Sequence, residues 1–180
     1  EHLVLTRTDT GSTVPIQFSN IVRDAAGLRR ATLHFVSDLP TGARREFILT
    51  TAGPPISSPP KLTETAEGNT IILDTGAIRV RIPATQGIIA TVPGPILQLS
   101  RGRSWTGSSS LTLTGEKVAR IITRRLFAGP VFISYEITYE GAAGSRYVTR
   151  VHATAGLDFV RLEEDMEGLR PGVHGLFTST

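Results

Sequence analysis

Apolar and polar residues alternate with a period of two along nearly the whole chain. In the clearest stretch Val131, Ile133, Tyr135, Ile137 and Tyr139 share one parity, and Ser134, Glu136, Thr138 and Glu140 share the other. A helix would scatter these residues around its surface, whereas a strand with one buried face sorts them. Ile78, Val80 and Ile82 alternate with Arg79 and Arg81, and Val160, Leu162 and Met166 alternate with Arg161, Glu163 and Asp165. The same pattern predicts strands near 3–8, 13–18, 31–36, 46–50, 70–74, 95–100, 118–127 and 146–154.

Turn residues fall between these runs. Asp24-Ala25-Ala26-Gly27, Leu39-Pro40-Thr41-Gly42, Thr75-Gly76, Ala128-Gly129-Pro130 and Gly141-Ala142-Ala143-Gly144 each separate two apolar stretches. Glycine takes a positive φ without steric cost and proline cannot donate to a ladder, so these clusters end strands. No amphipathic helix and no internal repeat is evident. About a dozen short strands at this spacing predict an all-β chain, an antiparallel sandwich or barrel. The Pro-rich stretch 53–60 reads as a stiff connector. It would divide a small β-barrel-like unit (1–52) from an antiparallel β-sandwich (61–180), the latter truncated.

Composition narrows the classes. The chain has 180 residues, 39% of them hydrophobic, and no cysteine. A chain of this size and apolarity buries a core, and the missing cysteine excludes a disulfide scaffold, a thiolate metal site and a cysteine nucleophile. No apolar run reaches the roughly 18 residues of a membrane-spanning helix. The net charge is only +3, and the high pI comes from 17 Arg against 2 Lys. The basic residues are spread along the chain among acids and few aromatics, so a nucleic-acid partner is not expected. The chain opens without a methionine and ends without a polar tail, and reads as a mature secreted protein or a piece of a longer one.

Candidate chemistry is sparse. Asp74-Thr75-Gly76 after a hydrophobic strand resembles the catalytic loop of aspartic proteases, in which two carboxylates share a proton. A single copy occurs here, and the alternative is a hairpin turn. His2, His34, His152 and His174 stand at no metal-ligand spacing, so no metal or cofactor is expected. Arg150 and His152 share one strand face and are suited to a carboxylate or to sugar hydroxyls; a solvated face is the alternative. Glu163, Glu164 and Asp165 form the one dense acidic run, of which Glu163 and Asp165 share a face, as a solvated edge would. Trp105, in a Gly/Ser-rich loop between arginines, either stacks on a sugar ring or caps the core.

Several segments taken in order resemble a known arrangement. Gly27-Leu28-Arg29-Arg30-Ala31-Thr32-Leu33-His34-Phe35 precedes Asp38-Leu39-Pro40-Thr41-Gly42-Ala43 and Arg45-Glu46-Phe47-Ile48-Leu49; then come Leu73-Asp74-Thr75-Gly76-Ala77-Ile78-Arg79-Val80 and Ser134-Tyr135-Glu136-Ile137-Thr138-Tyr139-Glu140. This order resembles the N-terminal β-region of bacterial proteins related to exo-acting rhamnogalacturonan lyases. The resemblance implies a small barrel-like domain before a galactose-mutarotase-like β-sandwich, with Asp74 in a structural turn. It further implies a secreted or periplasmic, carbohydrate-active protein of lyase or glycoside hydrolase type, handling a poly- or oligosaccharide that is acidic in the lyase case. The rest of a larger polypeptide would complete the active site. A lyase needs a base and a cation that neutralises a uronate, and Arg79, Arg81, Arg150 and His152 are the candidates, with Trp105 as a stacking surface. A stand-alone carbohydrate-binding or cell-surface interaction module and an aspartic protease using Asp74 are the alternative functions.

Overall fold

A computed structural model describes residues 3–51, 62–85, 91–113, 116–168 and 175–179. All of its regular structure there is strand, as the alternation predicts, and every ladder is antiparallel. Among the described residues no helix is long and apolar enough to cross a membrane. The chain falls into two compact units, Glu1–Pro60 with Gly129–Val131, and Lys61–Ala128 with Phe132–Thr180. The expected connector, 53–60, lies outside the described residues.

The first unit holds β1 (Val4–Arg7), β2 (Thr13–Val14), β3 (Gln17–Asp24), β4 (Gly27–His34) and β5 (Phe47–Thr50). They form a three-stranded sheet, β2-β1-β5, and a β3–β4 hairpin, and no closed barrel is made among the described residues. The strand expected over 13–18 is split because Pro15 has no N–H for a ladder; its first half pairs with β1 and its second with β4. Among the described residues, the buried apolar side chains of this unit are Val4, Leu5 and Val131. A charged cluster supplements them. Arg7 donates to Asp9 at 2.6 Å and to Asp38 at 3.0 Å, and Arg45 donates to the same two carboxylates. The Arg7 hydrogen bond holds the Asp9 carboxyl below its ordinary range.

The second unit holds β6 (Thr63–Glu67), β7 (Thr70–Asp74), β8 (Arg79–Pro83), β9 (Gln98–Ser100), β10 (Ser109–Leu113), β11 (Val118–Phe127), β12 (Phe132–Gly141), β13 (Arg146–Thr154), β14 (Val160–Glu167) and β15 (Gly175–Ser179). Two four-stranded sheets, β6-β7-β8-β9 and β11-β12-β13-β14, are joined by a smaller β10–β15 pair. Leu73, Val80 and Ile82 from the first sheet, Leu111 and Leu113 from β10, and Ile121, Ile137, Tyr139, Tyr147 and Val151 from the second sheet meet in one apolar cluster. That is a sandwich-like arrangement, each sheet turning one face inward. Side chains tie the layers at their margins. Arg125 donates to Glu64 at 3.2 Å, and Thr123 exchanges hydrogen bonds with Thr85 and donates to the Pro83 carbonyl.

Strand β12 departs from the half-buried expectation. Its apolar row is in the core, but its polar row is buried too: Ser134, Glu136 and Thr138 are nearly inaccessible. The reason is its central position. Cross-strand neighbours lie about 5 Å apart, so long arginines on β11 and β13 roof the polar row. Glu136 accepts from Arg124 at 3.0 Å and from Arg150 at 3.1 Å. One carboxylate thereby answers two guanidiniums, and its burial is compensated. Glu136→Gln keeps the shape and removes the charge. Because both arginines keep access to water, we expect a loss of about 1–3 kcal/mol, read in thermal denaturation as roughly 2–4 °C per kcal/mol. Arg124→Ala, at the exposed end of the same pair, should cost under about 1 kcal/mol.

Candidate functional site

The Asp74-Thr75-Gly76 turn positions one end of the second unit. Gly76 has φ +87, which favours glycine, and its N–H donates to Asp74 Oδ1 at 2.7 Å. Thr75 is 1% exposed. Its hydroxyl donates to the Leu157 carbonyl at 2.6 Å and accepts from the Ala77 and Ile78 amides, while its carbonyl accepts from Gly156 at 2.7 Å. The motif therefore closes the β7–β8 loop and pins it to the β13–β14 turn. The cross-strand partners of Asp74 are Thr63 and Arg79, neither of them a carboxylate.

Arg79, Arg81 and Trp105 come together. Val80 and Ile82 face the core, so the two arginines project from the outer face of the β6–β9 sheet. Their guanidinium carbons stand 4.9 and 4.2 Å from the centre of the Trp105 ring, within cation–π range. Arg81 is held by Gln98 at 2.7 Å and Glu67 at 2.8 Å, and Arg79 by Ser100 at 3.0 Å and the Gly102 carbonyl. A half-buried Trp105 thus covers arginines of its own chain.

Arg150 and His152 lie elsewhere. They occupy the outer face of the β11–β14 sheet, whose inner face packs on the same core. The two candidate groups are therefore on opposite outsides of the sandwich and cannot converge on one ligand. Arg150 is committed to Glu136. The His152 ring sits with Nε2 3.5 Å from Glu163, and burial lowers its pKa against the opposing pull of Glu163, with Arg161 and Arg150 also disfavouring the cation. His34 meets Ser19 at 2.7 Å in the first unit. His2 and His174 lie outside the described residues, and no group of three metal-ligating side chains occurs among the described ones.

A concave site forms where sequence reading had placed none. Ile78, Leu99 and Ser100 floor a groove of about 660 Å³, and Arg101, Arg103, Ser104, Thr106, Asp158, Phe159 and Val160 complete it. Three chain segments meet here: the loop after β7, the loop after β9 and the turn after β13. Arg101 reaches both the carbonyl and the carboxylate of Asp158 at 3.3 Å. Phe159 is 57% exposed, in a turn only five residues long. An aromatic in so short a connection, where turn residues are expected, was the one local signal of this site. Asp158 is the only carboxylate among the described lining residues. Compared with known protein families and with curated proteins, the chain matches none.

Two outcomes follow. Thr75→Val removes the hydroxyl and strands the Leu157 carbonyl, which should cost about 1–3 kcal/mol in urea denaturation. It should also raise amide exchange in 156–159 more than in β12. The folded-state pKa of His152 is below the ordinary 6.5, so the unfolded chain takes up the proton first as pH falls. Stability is unaffected above that value and declines as pH drops through it toward the lower folded pKa. His152→Gln should flatten the decline in melting temperature between about pH 6.5 and 5, above the carboxylate range.

Proposed function

We propose that the chain is a β-sandwich segment of a secreted or periplasmic polysaccharide-degrading protein, contacting the saccharide at the end groove without carrying a complete active site. The observation that supports this reading is the groove's chemistry. An exposed Phe159 ring offers a face for the C–H surface of a pyranose, and the Arg101–Asp158 pair beside it offers donors and acceptors in the geometry of sugar hydroxyls. Arg103 adds a cation at the same wall, suited to an acidic unit of the glycan. The order of segments that resembles the rhamnogalacturonan-lyase-like β-region supports the same substrate class.

The groove also supports a contributing role over an independent catalytic one. Glycoside hydrolysis uses two carboxylates across the scissile bond, and among the described residues this lining has Asp158 alone. A second group would come from the remainder of a larger polypeptide.

The test is titration of the purified chain with neutral and uronate-bearing oligosaccharides, followed by amide chemical shifts. Shifts should cluster in 99–106 and 157–160. Phe159→Ala should weaken binding about tenfold, or roughly 1.4 kcal/mol. Trp105→Phe should change it less than about twofold, since the guanidiniums already cover that ring. Absence of saturable binding to every glycan at about 10 mM, more than a thousandfold above a micromolar site, would sink the proposal. So would shifts confined to Arg150 and His152.

A further inference from the structure

The β3–β4 hairpin of the first unit is irregular, and the irregularity builds a groove. The ladder runs through Phe18↔Leu33 and Ser19↔Thr32, then resumes at Val22↔Arg30. Strand β3 advances three residues there while β4 advances two, so β3 carries one extra residue, as in a β-bulge. Asn20 absorbs it. Its φ is +49, in the left-handed region that asparagine enters more readily than most side chains, and its Nδ2 donates to the Thr32 hydroxyl at 3.3 Å. A regular strand would send Phe18 and Ile21, three positions apart, to opposite faces. The bulge turns both into one groove of about 460 Å³.

Small residues keep that groove open. Ala31 and Gly27 on β4 and Ala26 in the turn line it, and a side chain at Gly27 would meet no atom within 4 Å. Leu3 adds an apolar wall. Ile21 is 49% exposed, so this apolar surface is accessible and not core. One charge enters it. Arg23 is the only charged side chain among the described lining residues, and its guanidinium has no ion-pair or hydrogen-bond partner among the described residues. The acid beside it is committed elsewhere: Asp24 accepts from the Ala26 amide at 2.9 Å and pairs with Arg29. A concave, mostly apolar surface with one uncompensated guanidinium is complementary to a molecule with an apolar body and a single acidic end.

We infer that the β3–β4 groove binds a small amphiphilic carboxylate, its hydrocarbon part against Phe18 and Ile21 and its carboxylate on Arg23. The apolar contact would supply the attachment and the guanidinium the choice of an acid over a neutral molecule of the same shape. All the lining residues belong to the first unit, so the site is independent of the saccharide reading of the second.

The probes are 3-phenylpropionate and hexanoate, with the corresponding primary amides as uncharged counterparts, titrated into the full chain and followed by amide chemical shifts. Saturable shifts centred on 18–31 are expected for the acids, with a dissociation constant of about 1 mM or below, and each amide should bind at least about tenfold more weakly. Arg23→Gln should erase the difference between acid and amide and leave amide binding unchanged. Ala31→Leu fills the groove and should weaken acid and amide alike by at least about tenfold. Circular dichroism of both variants checks that they are folded. The inference is overturned by the absence of saturable shifts in 18–31 at about 10 mM acid, or by equal binding of acid and amide to the natural chain. A preference for the acid that survives Arg23→Gln would also overturn it, by placing the charge recognition on another residue.

Discussion

The second unit depends on one constraint: β12 is buried on both faces. A central strand with two apolar faces would be simple to bury. Here one row is apolar and the other polar, so each must be satisfied differently. Ile133, Tyr135, Ile137 and Tyr139 join the core without further cost except at the tyrosine hydroxyls, where burial pushes the Tyr139 phenol well above its ordinary pKa and, with the Glu164 hydrogen bond, takes Tyr147 to about 12. The polar row is satisfied by charge, with Glu136 between Arg124 and Arg150. A lone buried carboxylate would be prohibitive. Flanked by two arginines that themselves reach water, it becomes a clamp across three strands.

That division sets where function can reside. The inner faces of both sheets are consumed by the core, and the outer face of β11–β14 is consumed largely by its own ion pairs. The outer face of β6–β9 is closed over Arg79 and Arg81 by Trp105. The end of the sandwich stays open, where loops are free of ladder geometry. The Thr75 pin gives that end definition by fixing the β7–β8 loop to the β13–β14 turn, so the groove walls do not depend on surface ion pairs.

Legibility in the sequence followed locality. β7, β11 and β13 are found at the predicted positions because each combines strict alternation with flanking Gly, Pro or Asp. β6, Thr-Glu-Thr-Ala-Glu, was not foreseen: an edge strand with few large apolar residues has no alternation to read. β10 and β15 were also missed, their pairing being set by partners more than sixty residues away. The burial of Ser134, Glu136 and Thr138 was illegible for a similar reason, since a polar row looks solvated until the arginines roofing it are known. Asp74-Thr75-Gly76 was legible as a turn, but its tie to Leu157 was not. The groove joins residues from 78 to 160, and only the exposed Phe159 marked it locally.

The preference for arginine over lysine follows from the same architecture. Most of the described arginines act inside the fold, and in ways an ammonium cannot reproduce. Arg7 and Arg45 each reach two carboxylates at once. Arg81 spans Glu67 and Gln98 while its plane lies over Trp105. Arg120 presents both Nε and Nη2 to one oxygen of Glu140. A sheet whose faces are ordered by cross-strand charge needs cations that are planar, multidentate and weakly hydrated, because each must bridge strands rather than extend into solvent. The high pI is then a by-product of how the sheets are tied together. Arg103 at the groove and Asp165 on β14 are among the described charges for which the fold supplies no ion pair, and they stand out against that background.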